Sequence, residues 1–412
     1  MKILLSWLNE YGDFGDPTNA DDVQRVADAL TSLGLEVDSI TTVGETVPGV
    51  VTARVLRLEQ HPDAAKVQRV YVDAGDGQER HVWCGAFNMS EGDIVPLATL
   101  GTTMPNGMTI ERRGILGIDS EGMLCSASEL GLGDDHSGIK VLPLDVPLGR
   151  PYGEALGLTL DVLIDADVTR NRPDCWGYVG IARDLAAKMG VEFRPPSPAL
   201  NVTGDALTAG VEIFDGDRCA RFTSTVISGI EVKPSAEWMA RRLTAAGMRP
   251  INNVVDVSNY VMLELNQPNH AYDLDTLGGR GFRIRLARAG EQLTTLDGEV
   301  RTFTSDDLFI CDANDVPIGV GGIMGGLDTE ISDSTTTVAL EMARFSLVGI
   351  GQTVTRTNLR SEASARFERG VDPYGMPLAI ARFVELLAET CPDLVVHAGA
   401  VDARSDELPV EH

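Results

Sequence analysis

Apolar residues near the start of the chain recur at intervals of three and four, at Val23, Val26, Ala27, Leu30 and Leu33. This spacing places them on one face of an α-helix. The segment Thr18-Asn-Ala-Asp21 resembles a capping box that opens the helix, and Gly34 is placed to end it. The pattern predicts a helix with one buried face.

From residue 50 onwards the pattern changes to short β-rich runs separated by glycine. The runs predicted as strands are Val51 to Leu58, Val67 to Val72, His81 to Cys84 and Ile94 to Leu100. The segment Asp73-Ala-Gly-Asp-Gly77 is typical of a hairpin turn. Short strands joined by glycine and proline turns predict a small closed β-barrel, and the OB-fold is the simplest barrel of this size.

A second helix is predicted after Asn171-Arg-Pro-Asp174, with Asp174 as its N-cap and Gly190 at its end. The proline-rich segment Phe193 to Ala199 then marks a domain boundary. Beyond it, predicted strands alternate with helices, one from Ser235 to Ala246 and a last one carrying Ile380, Phe383, Val384 and Leu387. The predicted fold class is therefore α+β with several domains, and Val401 to His412 is predicted to be a linker.

The length of 412 residues exceeds what one hydrophobic core usually supports, and domains of roughly 100 to 200 residues predict two to four of them. No apolar run approaches the ~20 residues that cross a bilayer, and no targeting segment is recognised, so we expect a cytoplasmic protein. No metal or ATP signature is recognised either. The six cysteines contain no C-x-x-C pair and predict buried reduced thiols: Cys84, Cys125, Cys175, Cys219, Cys311 and Cys391.

The formal net charge of −27 disfavours non-specific binding of nucleic acid, so any RNA contact must use a local basic patch. One stretch has a positive net charge, because residues 341–370 hold five arginines against three glutamates. These arginines are Arg344, Arg356, Arg360, Arg366 and Arg369. The alternative is that each of them pairs with an acidic residue on a helix face.

The segment from Arg249 to Asp273 concentrates amides and one histidine among few charges, which is typical of a polar pocket wall. With its neighbours it resembles the N-terminal half of the β subunit of bacterial phenylalanyl-tRNA synthetase. The motifs that carry this resemblance are Ser6-Trp-Leu-Asn-Glu-Tyr11, His61-Pro-Asp63, Cys84-Gly-Ala-Phe-Asn88, Ser120-Glu-Gly-Met-Leu-Cys-Ser126, Asn171-Arg-Pro-Asp174, Asn252-Asn-Val-Val-Asp256, Gln267-Pro-Asn-His-Ala-Tyr-Asp273, Gly322-Ile-Met-Gly-Gly326 and Arg366-Phe-Glu-Arg-Gly-Val-Asp372.

The resemblance implies an OB-fold tRNA-binding domain at residues 40–149, inserted in a split α/β scaffold domain of residues 1–39 and 150–195. It further implies a B3/B4 editing domain at 200–400. The implied partners are tRNA(Phe) and the α subunit of an α2β2 ligase, which uses ATP and magnesium at a synthetic site outside this chain. The editing reaction would hydrolyse Tyr-tRNA(Phe). The alternative is a scaffold that binds tRNA or protein without hydrolysis.

Glu341 lies in the otherwise apolar stretch Val338-Ala-Leu-Glu-Met-Ala343 and matches the position at which the family recognises the tyrosine hydroxyl. A buried acceptor would be left unpaired by phenylalanine, at a cost of ~1–3 kcal/mol. The alternative is a strand-end carboxylate paired with an arginine. The other positions that match the family's editing pocket are Ser258, Asn259, His270, Gly322, Gly325, Ser361 and Ala363.

His270 and Asn259 are the candidates to orient the attacking water and the ester, although a lone histidine can also be structural. The glycines between Gly319 and Gly326 either allow close approach to a ligand or form a tight turn between strands. In the barrel, residues 51–117 hold seven basic against eight acidic residues. Tyr71, Trp83 and Phe87 could stack bases there, but aromatic residues at strand spacing also form cores.

Overall fold

The computed structural model describes residues 1–44, 46–60, 66–115, 118–132, 135–327, 330–406 and 408. The chain divides into two compact units, one of Met1–Ile40 with Leu163–His412 and one of Thr41–Val162. The second unit is therefore an insertion in the first. The motif His61-Pro-Asp63 lies outside the described residues.

The helices are α1 (Leu5–Leu8), α2 (Ala20–Ser32), α3 (Tyr152–Ala155), α4 (Tyr178–Met189), α5 (Glu237–Ala245), α6 (Asn253–Leu265), α7 (Leu347–Thr357), α8 (Glu362–Phe367) and α9 (Met376–Ala388). The strands are β1 (Lys2–Leu4), β2 (Glu36–Val43), β3 (Val50–Gln60), β4 (Gln68–Asp73), β5 (Glu79–Cys84), β6 (Ile94–Ala98), β7 (Arg113–Ile115), β8 (Ile118–Ser120), β9 (Met123–Leu124), β10 (Asp161–Asp167), β11 (Gly204–Ala206), β12 (Gly210–Ile213), β13 (Cys219–Ser228), β14 (Asn269–Asp273), β15 (Gly281–Leu286), β16 (Gln292–Thr294), β17 (Val300–Thr302), β18 (Leu308–Asp312), β19 (Pro317–Val320), β20 (Met324–Gly325), β21 (Thr337–Phe345), β22 (Val395–Ala398) and β23 (Val401–Arg404).

The inserted unit contains a five-stranded antiparallel sheet in the order β5-β4-β3-β6-β9. The predicted turn after Asp73 joins β4 to β5 as a hairpin. At the sheet's edge, the Trp83 N–H donates to Ser120 Oγ (3.2 Å) and the Glu121 N–H donates to the His81 carbonyl (2.9 Å). These bonds link β5 to the segment just before β9, so the sheet curls into a nearly closed barrel. The barrel predicted from the strand pattern is confirmed.

Two predicted helix caps are wrong. Asn19 caps α2 in place of Thr18, because its side-chain oxygen accepts hydrogen bonds from the Asp21 and Asp22 backbone amides at 2.9 and 3.4 Å. Asp174 does not cap a helix either. A 3₁₀ turn spans Pro173–Trp176, α4 starts after Gly177, and the Asp174 carboxylate is held by the Arg172 guanidinium.

The larger unit contains a six-stranded sheet, ordered β11-β22-β13-β21-β14 with β23 added beside β13, and a five-stranded sheet ordered β12-β15-β18-β19-β20. Their shared core holds Phe222, Tyr272, Phe282, Phe309 and Phe345. The unit is therefore α+β, as predicted.

Strand β23 corrects the prediction that residues 401–412 form a linker. Its residues pair antiparallel with residues 221–224 of β13. The Arg221 guanidinium also donates to both carboxylate oxygens of Asp402, at 2.8 and 2.9 Å. At least residues 401–404 therefore belong to the folded unit.

Across the described residues, no helix combines the length and apolar character needed to span a membrane. All six cysteines are buried and free, which confirms the prediction of reduced thiols.

Candidate functional site

The centre of the candidate site is strand β21, which lies between β13 and β14. Glu341 on β21 is directly opposite His270 on β14 and Ser224 on β13. Residues opposite one another in an antiparallel pair share a face of the sheet, and so do residues two apart on a strand. Tyr272 therefore lies on the same face as His270.

Glu341 is a buried carboxyl, with 5% of its surface exposed. The Tyr272 hydroxyl donates to its Oε2 at 3.0 Å, and Tyr272 is its one side-chain partner among the described residues. Burial raises the pKa of Glu341 to about 8, although the Tyr272 hydrogen bond opposes that rise. The alternative of an arginine partner does not hold in the described part of the chain.

His270 is neutral at pH 7, because burial lowers its pKa to about 4. Its ring meets the Tyr272 ring edge-on, with 4.4 Å between centroids. Its Nε2 is buried and has no hydrogen-bond partner among the described residues. A buried ring nitrogen without a partner is free to hold a ligand atom or a water molecule.

Gly325 lies against the His270 ring. A Cβ built at Gly325 would lie 3.0 Å from His270 Cε1 and 3.1 Å from Nε2. The absence of a side chain at this position therefore leaves room for the imidazole.

Helix α6 brings Ser258 and Asn259 to the site. Asn252 caps its start by accepting from the Val254 and Val255 amides, and Asn266 ends it in the left-handed conformation (φ 55°). The chain then turns directly into β14. The Asn269 side-chain amide donates to the Ser258 carbonyl at 3.1 Å, which ties the end of the strand to the helix.

All eight residues predicted for the site line one of two adjoining cavities. The first, of about 80 Å³, is lined by Glu341, Gly322, His270, Gly325 and Ala363 among others. The second, of about 540 Å³, is lined by Ser258, Asn259 and Ser361, and again by His270, Gly325 and Ala363. The shared residues lie between the two cavities, and the two together are called the cleft.

The glycine-rich segment is a turn between strands, because β19 and β20 pair as a hairpin. Gly322, in this turn, has a φ of 70°. A Cβ on Gly322 would lie 2.7 Å from the Phe345 ring and 2.8 Å from Ile350 Cδ1. The tight turn between strands is therefore confirmed; the segment also lines the first cavity, and close approach to a ligand stays a prediction.

Ser361 uses its hydroxyl to fix the local structure. It caps α8 by accepting from the Ser364 amide at 3.1 Å, and it donates to the Ile323 carbonyl at 2.6 Å. These bonds hold Ala363 beside the glycine turn.

Tyr272 and Asn269 line the cleft but were not predicted as site residues. The alternation of β14 could have placed Tyr272 on the His270 face. Its bond to Glu341, 69 residues away, depends on a strand pairing that no local pattern reveals.

The described residues include one group of three possible metal ligands, Asp174, Cys175 and Asp184. The Arg172 guanidinium already contacts all three, at 2.8 Å from Asp174 and 2.9 Å from the Cys175 sulfur and in close contact with Asp184. A cation at their centre makes these residues a poor fit for a magnesium ion.

The raised pKa of Glu341 predicts a pH-dependent contribution to stability. Its ordinary pKa of 4.5 applies to the unfolded chain, and the folded value is about 8. The folded state therefore binds more protons between these values, and the stabilisation is complete below about pH 4.5 and lost as the pH rises through about 8. We expect Glu341→Gln to flatten the fall in unfolding free energy between pH 5 and 8, measured by urea titration.

The lowered pKa of His270 has the opposite effect on stability, which it makes fall as the pH drops from 6.5 to about 4. Because wild type and Glu341→Gln both contain His270, this effect cancels when their unfolding free energies are subtracted. Stability curves for wild type and Glu341→Gln that run parallel over pH 5 to 8 would contradict the prediction.

The chain is similar to known proteins along nearly all of its length. The family model of the B3/4 domain matches residues 218–392, and that of a putative tRNA binding domain matches residues 50–151. The phenylalanine–tRNA ligase beta subunit of Anaeromyxobacter dehalogenans (strain 2CP-C) is 45% identical over 410 residues, which cover 99% of this chain and 50% of that protein. The corresponding subunit of Nitratidesulfovibrio vulgaris is 43% identical over 390 residues, which cover 94% of this chain and 48% of that protein.

Among solved structures, an N-terminal fragment of the phenylalanyl-tRNA synthetase beta subunit from Pyrococcus horikoshii is 14% identical, with a TM-score of 0.31, and the match covers 60% of this chain and 67% of that one. This likeness is weak. The two sequence relatives are far more similar, and the chain spans about half the length of each. The chain is thus similar, along nearly all of its own length, to phenylalanine–tRNA ligase beta subunits, and parts of it match the B3/4 domain and a putative tRNA binding domain.

Proposed function

We propose that this chain is the part of a phenylalanine–tRNA ligase that hydrolyses Tyr-tRNA(Phe). An apolar pocket cannot strongly reject a substrate that merely adds a hydroxyl, so a ligase that selects phenylalanine gains accuracy from a second, hydrolytic site. The B3/4 match covers His270, Glu341 and Ser361, which line the cleft.

The observation that carries the proposal is the environment of Glu341. Its hydrogen-bond partner is a phenol, the Tyr272 hydroxyl, which donates to Oε2, so that in the ionised carboxylate, above about pH 8, Oε1 can accept from a second donor. The hydroxyl of a tyrosyl ester in the first cavity would be such a donor. A phenylalanyl ester would bring no donor and would leave the buried acceptor unsatisfied, at a cost of ~1–3 kcal/mol.

Hydrolysis would proceed by attack of water on the ester carbonyl carbon. The bond to the ribose oxygen then breaks, the ribose oxygen takes a proton, and tyrosine and free tRNA are released. The unpartnered Nε2 of neutral His270 would orient the water, and Asn259 would orient the ester. In the glycine turn the N–H groups of Gly321, Ile323 and Gly326 already donate within the protein, so we assign to the Gly322 N–H the role of stabilising the negative charge that develops on the carbonyl oxygen.

The test is hydrolysis of Tyr-tRNA(Phe) and Phe-tRNA(Phe) by this chain. We expect the tyrosyl ester to be hydrolysed faster, and His270→Ala to slow that reaction roughly tenfold or more, since a positioned water is lost. A small tyrosyl ester assayed in parallel separates an inactive pocket from poor delivery of tRNA. Equal rates for the two aminoacyl-tRNAs would refute the proposal.

We also propose residue bounds and roles for the domains. The barrel, at residues 40–149, is proposed as an OB-fold that binds tRNA, flanked by a scaffold of residues 1–39 and 150–195 and followed by an editing domain at 200–400. Of the predicted stacking aromatics, Tyr71 and Trp83 are buried, and Phe87 is 56% exposed. Phe87 is therefore the aromatic residue best placed to meet a base.

The complete ligase is proposed to be a cytoplasmic α2β2 assembly in which the α subunit joins phenylalanine to tRNA(Phe) with ATP and magnesium. None of the proposed editing steps uses ATP or magnesium. The alternative function, a scaffold that binds tRNA or protein without hydrolysis, predicts no turnover of the small tyrosyl ester.

A further inference from the structure

Four arginines line one open groove on the larger unit, although the whole chain carries a net charge of −27. The groove has a volume of about 920 Å³, and the acidic side chains described along it are those of Asp306 and Glu368. The arginines are Arg170, Arg218, Arg356 and Arg360. Two of them, Arg356 and Arg360, belong to the basic stretch singled out in the sequence.

Four of the five arginines in residues 341–370 contact an acidic side chain, and these contacts differ in how tightly they hold the arginine. Arg366 and Arg369 are engaged by Glu362 and Glu368 at 2.8 and 2.9 Å. Arg356 pairs with the buried Asp307. Arg360 makes a looser contact, 3.8 Å from Glu368, with 61% of its side chain exposed.

Arg170 is the second loosely held arginine. It lies 4.0 Å from the same Glu368 and is 75% exposed. Glu368 is already held by Arg369, so one carboxylate serves three guanidinium groups. The Glu368 side chain is 6% exposed, but both guanidinium groups are mostly exposed and lie 3.8 Å or more from its carboxylate, so Arg170 and Arg360 keep donors available for a ligand.

The groove lies next to the candidate site. Arg360 lines the groove, and the next residue, Ser361, lines the cleft. A small cavity of about 10 Å³ is lined by Arg218 and Thr353, which also line the groove, and by Val320 and Ile323, which also line the first cavity. A ligand held at the arginines therefore lies beside the place where an ester would be cleaved.

We propose that this groove binds backbone phosphates of the aminoacylated end of the tRNA and so delivers the ester to the cleft. The inference rests on the proposed function. Guanidinium groups suit phosphate because their N–H donors form a planar fork. The groove also offers the side chains of Gln352 and Thr355, which can bond phosphate or ribose oxygens.

The test is the double variant Arg170→Ala/Arg360→Ala, since both side chains are exposed and Glu368 keeps Arg369 as its partner. Arg356 is left in place because its loss would strand the buried Asp307. We expect tRNA(Phe) binding at low salt to weaken at least tenfold. The slope of log K against log salt should fall by about 0.7 to 0.9 per arginine.

The matched control is Arg280→Ala, which removes an arginine that is 56% exposed and lies outside the groove. Hydrolysis of the small tyrosyl ester should be unchanged in the double variant. An unchanged tRNA affinity and salt slope would overturn the inference, and so would an equal loss in the control. Displacement of tRNA by polyglutamate as effectively, per charge, as by a second RNA would show a site for acidic polypeptides.

The binding measurement does not depend on turnover. If the wild-type chain hydrolyses no tyrosyl ester, the proposed editing function fails. The loss of tRNA binding in the double variant still decides whether the groove holds RNA.

Discussion

Glu341→Gln is expected to lower the preference for Tyr-tRNA(Phe) over Phe-tRNA(Phe) by about tenfold to a hundredfold. Above about pH 8, where the Glu341 carboxylate is ionised, a hydrogen bond from a phenol to this charged acceptor contributes ~1.5–3 kcal/mol, and a neutral amide replaces that acceptor in the variant. The volume of the side chain is nearly conserved, so the cavity keeps its shape. The measurement is the ratio of kcat/KM for the two aminoacyl-tRNAs, because that ratio reports differential binding in the transition state.

The control for Glu341→Gln is Glu299→Gln, which makes the same change at an exposed position outside the cleft. Glu341→Gln should lose its preference because it hydrolyses the tyrosyl ester more slowly, while its slow hydrolysis of the phenylalanyl ester changes little. Glu299→Gln should keep the wild-type preference. A folded Glu341→Gln protein with the wild-type preference would show that another group recognises the phenol.

Much of the cleft could be predicted from the sequence because its residues are unusual for their surroundings. Glu341 stands in an apolar strand, and His270 stands in a segment rich in amides. Burying a polar or charged side chain costs free energy, and such a side chain persists in a buried position only where it has a partner or a function. The family resemblance supplied the remaining positions, and all eight lie along the cleft.

What could not be predicted depends on contacts between distant parts of the chain. Tyr272 meets Glu341 only because β14 and β21 pair in one register. The pairing of β23 with β13 joins residues about 180 positions apart. The two wrong caps have a local cause, since Thr18 and Asn19 are both good capping residues and Arg172 competes for Asp174.

A buried polar network is a further feature that no sequence pattern indicated. Glu264 on α6 is fully buried. It accepts from the Tyr11 hydroxyl at 2.6 Å and from the Arg382 guanidinium at 2.9 Å on each oxygen. The network joins the N-terminal segment, α6 and α9, so residues 1–40 form one unit with residues 163–412.

Arg382→Met is expected to destabilise the larger unit by about 3–5 kcal/mol, because it leaves the Glu264 carboxylate buried without a cation. Trp7 offers a local signal for unfolding, since its ring stacks on Tyr178 and Tyr260 at centroid distances of 3.8 and 4.3 Å. The measurement is urea unfolding followed by tryptophan fluorescence.

The companion variant Arg382→Met/Glu264→Gln removes the charge but keeps an acceptor for Tyr11, so it should recover most of the lost stability. If the double variant is as unstable as Arg382→Met, the loss comes from the packing of the arginine stem and not from the stranded charge. If Arg382→Met alone unfolds like the wild type, the carboxylate is neutralised without Arg382. Burial, which raises the pKa of Glu264, would then suffice to keep the group protonated.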